Sequence, residues 1–259
     1  MAMNRHFLSS LLMALSAPLM LTACGAKAED DLPAPVQTIA NQGVNFVGTF
    51  DAPGGLTGYV GEYQGQGLTV YLTEDGEHAL VGNMLDTNGQ DIGMQHIRRL
   101  IEEPRYGEAW DLIEQAEWFI EGSEDAPNVV YTFTDPFCPF CRRMHESMKP
   151  YVDNGQVQVR HIMVGIIREA SPAIASTIIG SDDPMAQLLE HMDTIDDGGI
   201  VMQGTAMRSG QRALRQHHEI MRELNLSATP ATFYKDGNGV VQLVQGAPRP
   251  EQIQQMLVN

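Results

Sequence analysis

Two of the three cysteines in this 259-residue chain are separated by only two residues, Cys138-Pro139-Phe140-Cys141, inside the run FTDPFCPFCRRMH at 133–145. Such a pair can clip a metal, anchor a haem, or make and break disulfides. A structural zinc needs four ligands. His145, His217 and His218 are the histidines nearest to completing a set, and their spacing supports none. Covalent haem needs His directly after the second cysteine, where Arg142 stands. The sequence therefore predicts no metal and no cofactor. A static disulfide is the remaining bland reading, but closing so short a loop gains little chain entropy.

The neighbouring residues favour dithiol chemistry. Asn128–Thr134 reads as a buried strand, and a helical segment runs from the motif to Tyr151, with Pro150 expected to kink or end it. Pro139 suits a first helical turn, where a missing N–H is harmless. Cys138 then sits at the helix start, where free N–H groups and the dipole favour a thiolate. Arg142 and Arg143 add positive potential if they turn towards it. Cys141, one turn in, is shielded and placed to resolve a mixed disulfide. Further on, Ser227-Ala228-Thr229-Pro230-Ala231 precedes a strand. An isolated Thr-Pro is an ordinary trans turn; together with the C-x-x-C pair it becomes a candidate cis-proline. His145 reads as a surface or packed residue rather than a proton shuttle.

The chain around this module divides by pattern. Arg5 and His6 precede the apolar run FLSSLLMALSAPLMLTA, so residues 1–23 read as an export signal leading to an oxidising compartment. Leu21-Thr22-Ala23-Cys24 resembles a lipobox, making Cys24 a lipidation candidate. A competing cut follows Ala26-Lys27-Ala28, and either outcome removes Cys24 from thiol chemistry. Residues 24–36 read as a flexible tether. Residues 37–95 carry strand patterns at Val44–Phe50, Leu56–Tyr63, Leu68–Leu72 and Glu77–Leu85, a small antiparallel sheet whose edges invite a second copy. Residues 96–124 read as a linker helix and hinge, with an amphipathic rod through Trp110, Ile113, Glu114, Glu117 and Trp118 that ends near Gly122. Residues 125–259 contain the motif, a strand at Gln156–Val164, a helical and Met-rich insertion at about 166–226, a hairpin around Asp236-Gly237-Asn238-Gly239, and a closing helix from Pro250. The expected class is α+β. The formal charge of −17 argues against nucleic acid as a partner.

Three stretches in this order, VVYTFTDPFCPFCRRM, VQVRHIMVGIIREASPAIASTIIGSDDP and ATPATFY, resemble the DsbC/DsbG family of periplasmic thiol:disulfide interchange proteins, within the thioredoxin superfamily. The resemblance implies a homodimer in the periplasm of a Gram-negative bacterium. Each copy would carry an N-terminal dimerisation domain, a linker helix and a thioredoxin-like domain with a helical insertion. It implies Cys138 as the attacking and Cys141 as the resolving cysteine, with Pro139 and Phe140 completing the motif. Thr229 and a cis Pro230 would present backbone groups to a bound polypeptide. Partners implied are cysteine-containing periplasmic proteins and a DsbD-like membrane reductase. The lack of a further cysteine pair beyond Cys24 places the chain nearer the DsbG-like branch; a lipobox is not part of that branch's pattern. The expected activity is disulfide isomerisation or reduction, extending to reduction of sulfenylated cysteines, with chaperone-like substrate binding. Two readings stay open beside it: a net disulfide-donating oxidase, and a dimeric chaperone whose thiols are incidental.

Overall fold

The computed structural model describes residues 32–258; residues 1–23, read as an export signal, Cys24 and the first part of the 24–36 tether lie outside them. Helix α1 (Ala34–Ala40) leads into a four-stranded antiparallel sheet in the order β1 (Asn45–Asp51), β2 (Thr57–Tyr63), β3 (Gln66–Leu72) and β4 (Ala79–Val81). Alternation along the strands gives the sheet two apolar faces. Phe50, Val60 and Tyr71 pack beneath Ile97 and Ile101, while Tyr59, Val70 and Leu72 pack against Val36 of α1. The tether reading therefore fails at its end. Val36 is fully buried, and Pro33 opens a helix that caps the second face. The strand expected over 77–85 shrinks to three residues, because Glu77 and His78 belong to the preceding turn.

A helical rod follows: α2 (Met94–Ile97), a π turn at Arg98–Glu102 and α3 (Glu103–Glu114). The π turn ends next to Pro104, which has no N–H for an ordinary helical bond. The rod stops at Glu114 rather than near Gly122, and Phe119–Glu121 forms strand β5. The end of the rod is part of a core. Ala109, Trp110 and Ile113 bury their faces against Tyr131, Phe133 and Phe233 of the second sheet.

That sheet has the order β5-β7-β6-β8-β9, built from β6 (Asn128–Thr134), β7 (Val157–Met163), β8 (Ala231–Lys235) and β9 (Val241–Gln245). β6 and β7 run parallel, and the other neighbours are antiparallel. Along β6, Tyr131 and Phe133 face α3 and α7 (Gly204–Glu223), whereas Val130 faces α4 (Pro139–Asp153) and α8 (Pro250–Met256). The period-2 pattern thus fills both sides of the strand, as a central strand requires. Helix α4 continues past Pro150 to Asp153, so that proline neither ends it nor stops it at Tyr151.

The insertion consists of α5 (Ser171–Ile179), α6 (Pro184–Thr194) and α7. Helices α5 and α7 meet through glycine. A Cβ at Gly180 would lie 1.9 Å from the Ala206 carbonyl, and one at Gly210 would lie 2.2 Å from the Ser176 carbonyl. Gly210→Ala gains at most about 1 kcal/mol of helix propensity. It also forces two backbones apart, an overpacking term of about 1–3 kcal/mol or more. We expect net destabilisation of roughly 2 kcal/mol by urea unfolding; equal or greater stability would show that the helices can separate freely.

Candidate active site

Sheet order explains where the dithiol and the Thr-Pro segment lie. β6 and β8 are antiparallel neighbours, with Phe133 opposite Ala231. The chain leaving β6 towards Cys138 therefore meets the chain entering β8 from Thr229 and Pro230. The Thr229–Pro230 peptide bond is cis. The Thr229 carbonyl lies 3.2 Å from Cys138 Sγ.

Cys138 is the N-cap of α4. Its backbone is extended, and its sulfur accepts the Cys141 N–H at 3.1 Å. Pro139 occupies the first turn, where it withholds no bond from the helix. The turn itself is held by Asp135, which is fully buried. Asp135 Oδ1 accepts the Phe137 N–H and the Ser171 hydroxyl, and Oδ2 accepts the N–H groups of Ile166 and Ile167. The Asp135 carbonyl accepts the Cys138 N–H at 3.1 Å. One carboxylate thus fixes both the cysteine turn and the start of the insertion. The sequence reading missed Asp135; the only local signal was an acid before Pro136, a common turn composition.

The two sulfurs differ. Both cysteines are thiols and both are 4% exposed. The Cys138 thiol falls from its ordinary value of 9.0 to about 6. The largest cause is a hydrogen bond from the Cys141 thiol. Burial opposes the shift, and Thr229 and the N–H groups of Cys141 and Phe140 add to it. The Thr229 hydroxyl is buried with no other partner, so it is free to turn to a thiolate. Arg142 and Arg143 do not turn to the sulfur. Arg142 pairs with Glu146 at 3.2 Å, and Arg143 lies over the Phe140 ring. Burial pushes the Cys141 thiol well up, reinforced by the neighbouring Cys138. Near neutral pH the arrangement thus holds one anion at the helix start and one proton beneath it. Phe140 is half exposed beside the pair.

A second buried polar group lies behind α4. Glu121 of β5 meets His145 Nδ1 at 2.8 Å, a close ion pair without hydrogen-bond alignment, and His161 Nε2 at 3.0 Å. Thr134 completes the chain at His161 Nδ1. Burial raises the Glu121 carboxyl, but the two imidazoles outweigh that effect and bring it to about 2. Glu121 in turn holds the His145 imidazole above its ordinary value. His145 is therefore a packed, paired residue that joins β5 to the motif helix. Among the described residues no cluster of His, Cys, Asp and Glu is suited to a metal.

Residues 119–259 match the model of the thioredoxin-like domain family. The chain is 41% identical over 238 residues to the thiol:disulfide interchange protein DsbG of Pseudomonas aeruginosa, covering 92% of this chain and 93% of that protein. It is 37% identical over 219 residues to DsbG of Escherichia coli K12, covering 85% and 88%. Identity to DsbC of the same strain is 25% over 241 residues, covering 92% of each.

Two measurements check these geometries. Alkylation of the reduced chain by neutral iodoacetamide should accelerate as pH rises through about 6 and then level off. The same depressed pKa stabilises the reduced fold above about pH 9, and that stability is lost as pH falls through about 6. A midpoint near 9 in the alkylation profile would remove the helix-start argument. Glu121→Gln strips the partner from His145 and should lower its pKa by NMR titration, with a stability loss on the order of 3 kcal/mol; an unmoved His145 titration would show the pair to be incidental.

Proposed function

The chain belongs to the DsbC/DsbG family of thiol:disulfide interchange proteins, and we propose that it acts as an exported disulfide isomerase and reductase through Cys138 and Cys141. The observation carrying this reading is the Cys138 sulfur capping α4 opposite Thr229, with Cys141 protonated and buried beneath it. The Cys138 thiolate attacks a substrate disulfide, forms a mixed disulfide and releases the second substrate sulfur as thiolate. Attack by another thiolate of the same substrate returns Cys138 and leaves the substrate isomerised, with no net electron transfer. Attack by Cys141 instead closes the Cys138–Cys141 disulfide and gives two electrons to the substrate as a thiol. A dithiol reductase of the DsbD-like kind then restores the pair.

The same thiolate can displace hydroxide from a substrate sulfenic acid. The mixed disulfide forms, water leaves after protonation, and Cys141 releases the reduced cysteine. Thr229 and Pro230 present their backbone beside the sulfur, the position from which a substrate strand is held. A periplasmic location is supported by the reading of residues 1–23 as an export signal and by the resemblance to DsbG. A homodimer is supported by the open edge at β4, where Leu80 and Val81 are 59% and 61% exposed. The Cys24 anchor depends on processing. Among the described residues no helix is long and apolar enough to cross a membrane.

Cys138→Ala should lower isomerisation of a scrambled multi-disulfide protein by at least about 100-fold. Cys141→Ala should accumulate mixed disulfides whose partners mass spectrometry can identify. Multi-cysteine partners point to isomerisation, and single-cysteine partners to sulfenic-acid rescue. Undiminished activity of Cys138→Ala would leave a chaperone with incidental thiols. Rapid oxidation of reduced substrates by the disulfide form, at a potential well above the compartment's, would make the chain a net oxidase.

A further inference from the structure

Between two segments that hold the Cys138 turn lies a groove of about 580 Å³ whose walls include Ile166, Arg215, Glu219 and Arg222. Its floor is apolar, with Met221 4% and Leu226 8% exposed. Both rims are tied to the Cys138 turn. On one side the Ile166 N–H donates to Asp135, whose carbonyl takes the Cys138 N–H. On the other, Ser227 lies two residues before Thr229, the neighbour of the Cys138 sulfur. Ile166 stands 44% exposed on the first rim.

The charge in this groove runs against that of the chain. Acids outnumber bases 33 to 16 in the chain, and four arginines elsewhere are neutralised: Arg105, Arg142, Arg212 and Arg249 pair with Glu62, Glu146, Glu117 and Glu251. Arg215 and Arg222 face the groove and, among the described residues, pair with no carboxylate, Glu219 on the same wall included. Arg222 donates through Nε to the His218 carbonyl, a bond that leaves its terminal N–H groups uncommitted. His218 takes the Gly165 N–H on its Nε2, and burial lowers its pKa, so the arginines supply the positive charge. An apolar floor with two unpaired guanidiniums suits a segment that offers both an apolar side chain and a carboxylate.

We propose that this groove receives the substrate polypeptide flanking the reacting cysteine and selects segments that combine an apolar with an acidic residue, using Arg215 and Arg222. The inference rests on the exchange chemistry proposed above. The test uses the reduced full chain carrying Cys141→Ala and two peptides, each with one activated mixed disulfide, flanked either by Leu-Asp or by Leu-Lys. The acidic peptide should form the mixed disulfide roughly five- to tenfold faster at low ionic strength, a gap that salt should shrink. Arg215→Glu with Arg222→Glu should abolish or invert the preference, while Arg215→Lys with Arg222→Lys should retain it; circular dichroism melting checks that both variants fold. Equal rates for the two peptides, or a preference that survives the double reversal, would overturn the proposal. So would rates for both peptides that fall together as protein concentration rises, the mark of a groove filled by a second copy. A neutral disulfide, 2-hydroxyethyl disulfide, separates the two levels: if the parent chain does not attack it, the exchange chemistry has failed rather than the groove.

Discussion

A buried sulfur that must carry charge is the constraint around which the C-terminal part of the chain is arranged. Burial alone pushes a thiol pKa up, as it does for Cys141. Cys138 is as little exposed yet falls to about 6, because donors surround its sulfur. Those donors come from two places, and the turn that positions the sulfur from a third, all united only by the fold. The Cys141 N–H and thiol come from the first turn of α4, the hydroxyl of Thr229 comes from the entry to β8, and the turn position comes from the exit of β6. Removing the β6–β8 pairing leaves the sulfur with the helix alone. The antiparallel register of two central strands is thus part of the acid–base chemistry of one atom.

The difference between the sulfurs also sets the order of events. The proton that stays on Cys141 stabilises the Cys138 anion by hydrogen bonding, so the two groups titrate as a pair rather than singly. Once Cys138 is bound in a mixed disulfide, its charge is gone. Cys141 then loses the negative neighbour that helped to hold its proton, although burial still holds it. In the exchange we propose, resolution by Cys141 is therefore held back by desolvation. On that proposal a substrate thiolate gains time to attack first, which is the step that separates isomerisation from reduction.

Much of this was legible in the sequence, for local reasons. Asn128–Thr134 and Ala231–Lys235 form strands over the residues where apolar and β-branched types cluster, and Pro139 marks a helix start wherever it can be tolerated. The misreadings share one cause. The segment at Phe119–Glu121 continues a helical spacing from Trp110, yet it pairs as a strand with Val159–His161 of β7, some forty residues on. Nothing within a helical window signals that partner. Val36 looked like tether because its neighbours are small and polar; only the face of the first sheet explains a helix there. Glu121 and His145 were invisible as a pair for the same reason, being joined by tertiary contact across 24 positions. Local composition fixes what an element can be, and long-range burial decides which option is taken.

Asp135 shows how the insertion and the dithiol depend on each other. A carboxylate with no exposure needs all its acceptor sites filled. Two of its four donors, the N–H groups of Ile166 and Ile167, and a third, the Ser171 hydroxyl, come from the segment that opens the insertion. Only the Phe137 N–H is local. The cysteine turn therefore closes in its observed form only when residues 166–171 are in place. Those residues begin the insertion that carries α7, and with it Arg215 and Arg222. Helical insertions can in general be treated as additions to a core sheet, but this one is wired through a single buried charge into the turn that holds the reactive sulfur. Movement of the groove wall at Ile166 and a shift of the Cys138 turn are, on this geometry, one displacement.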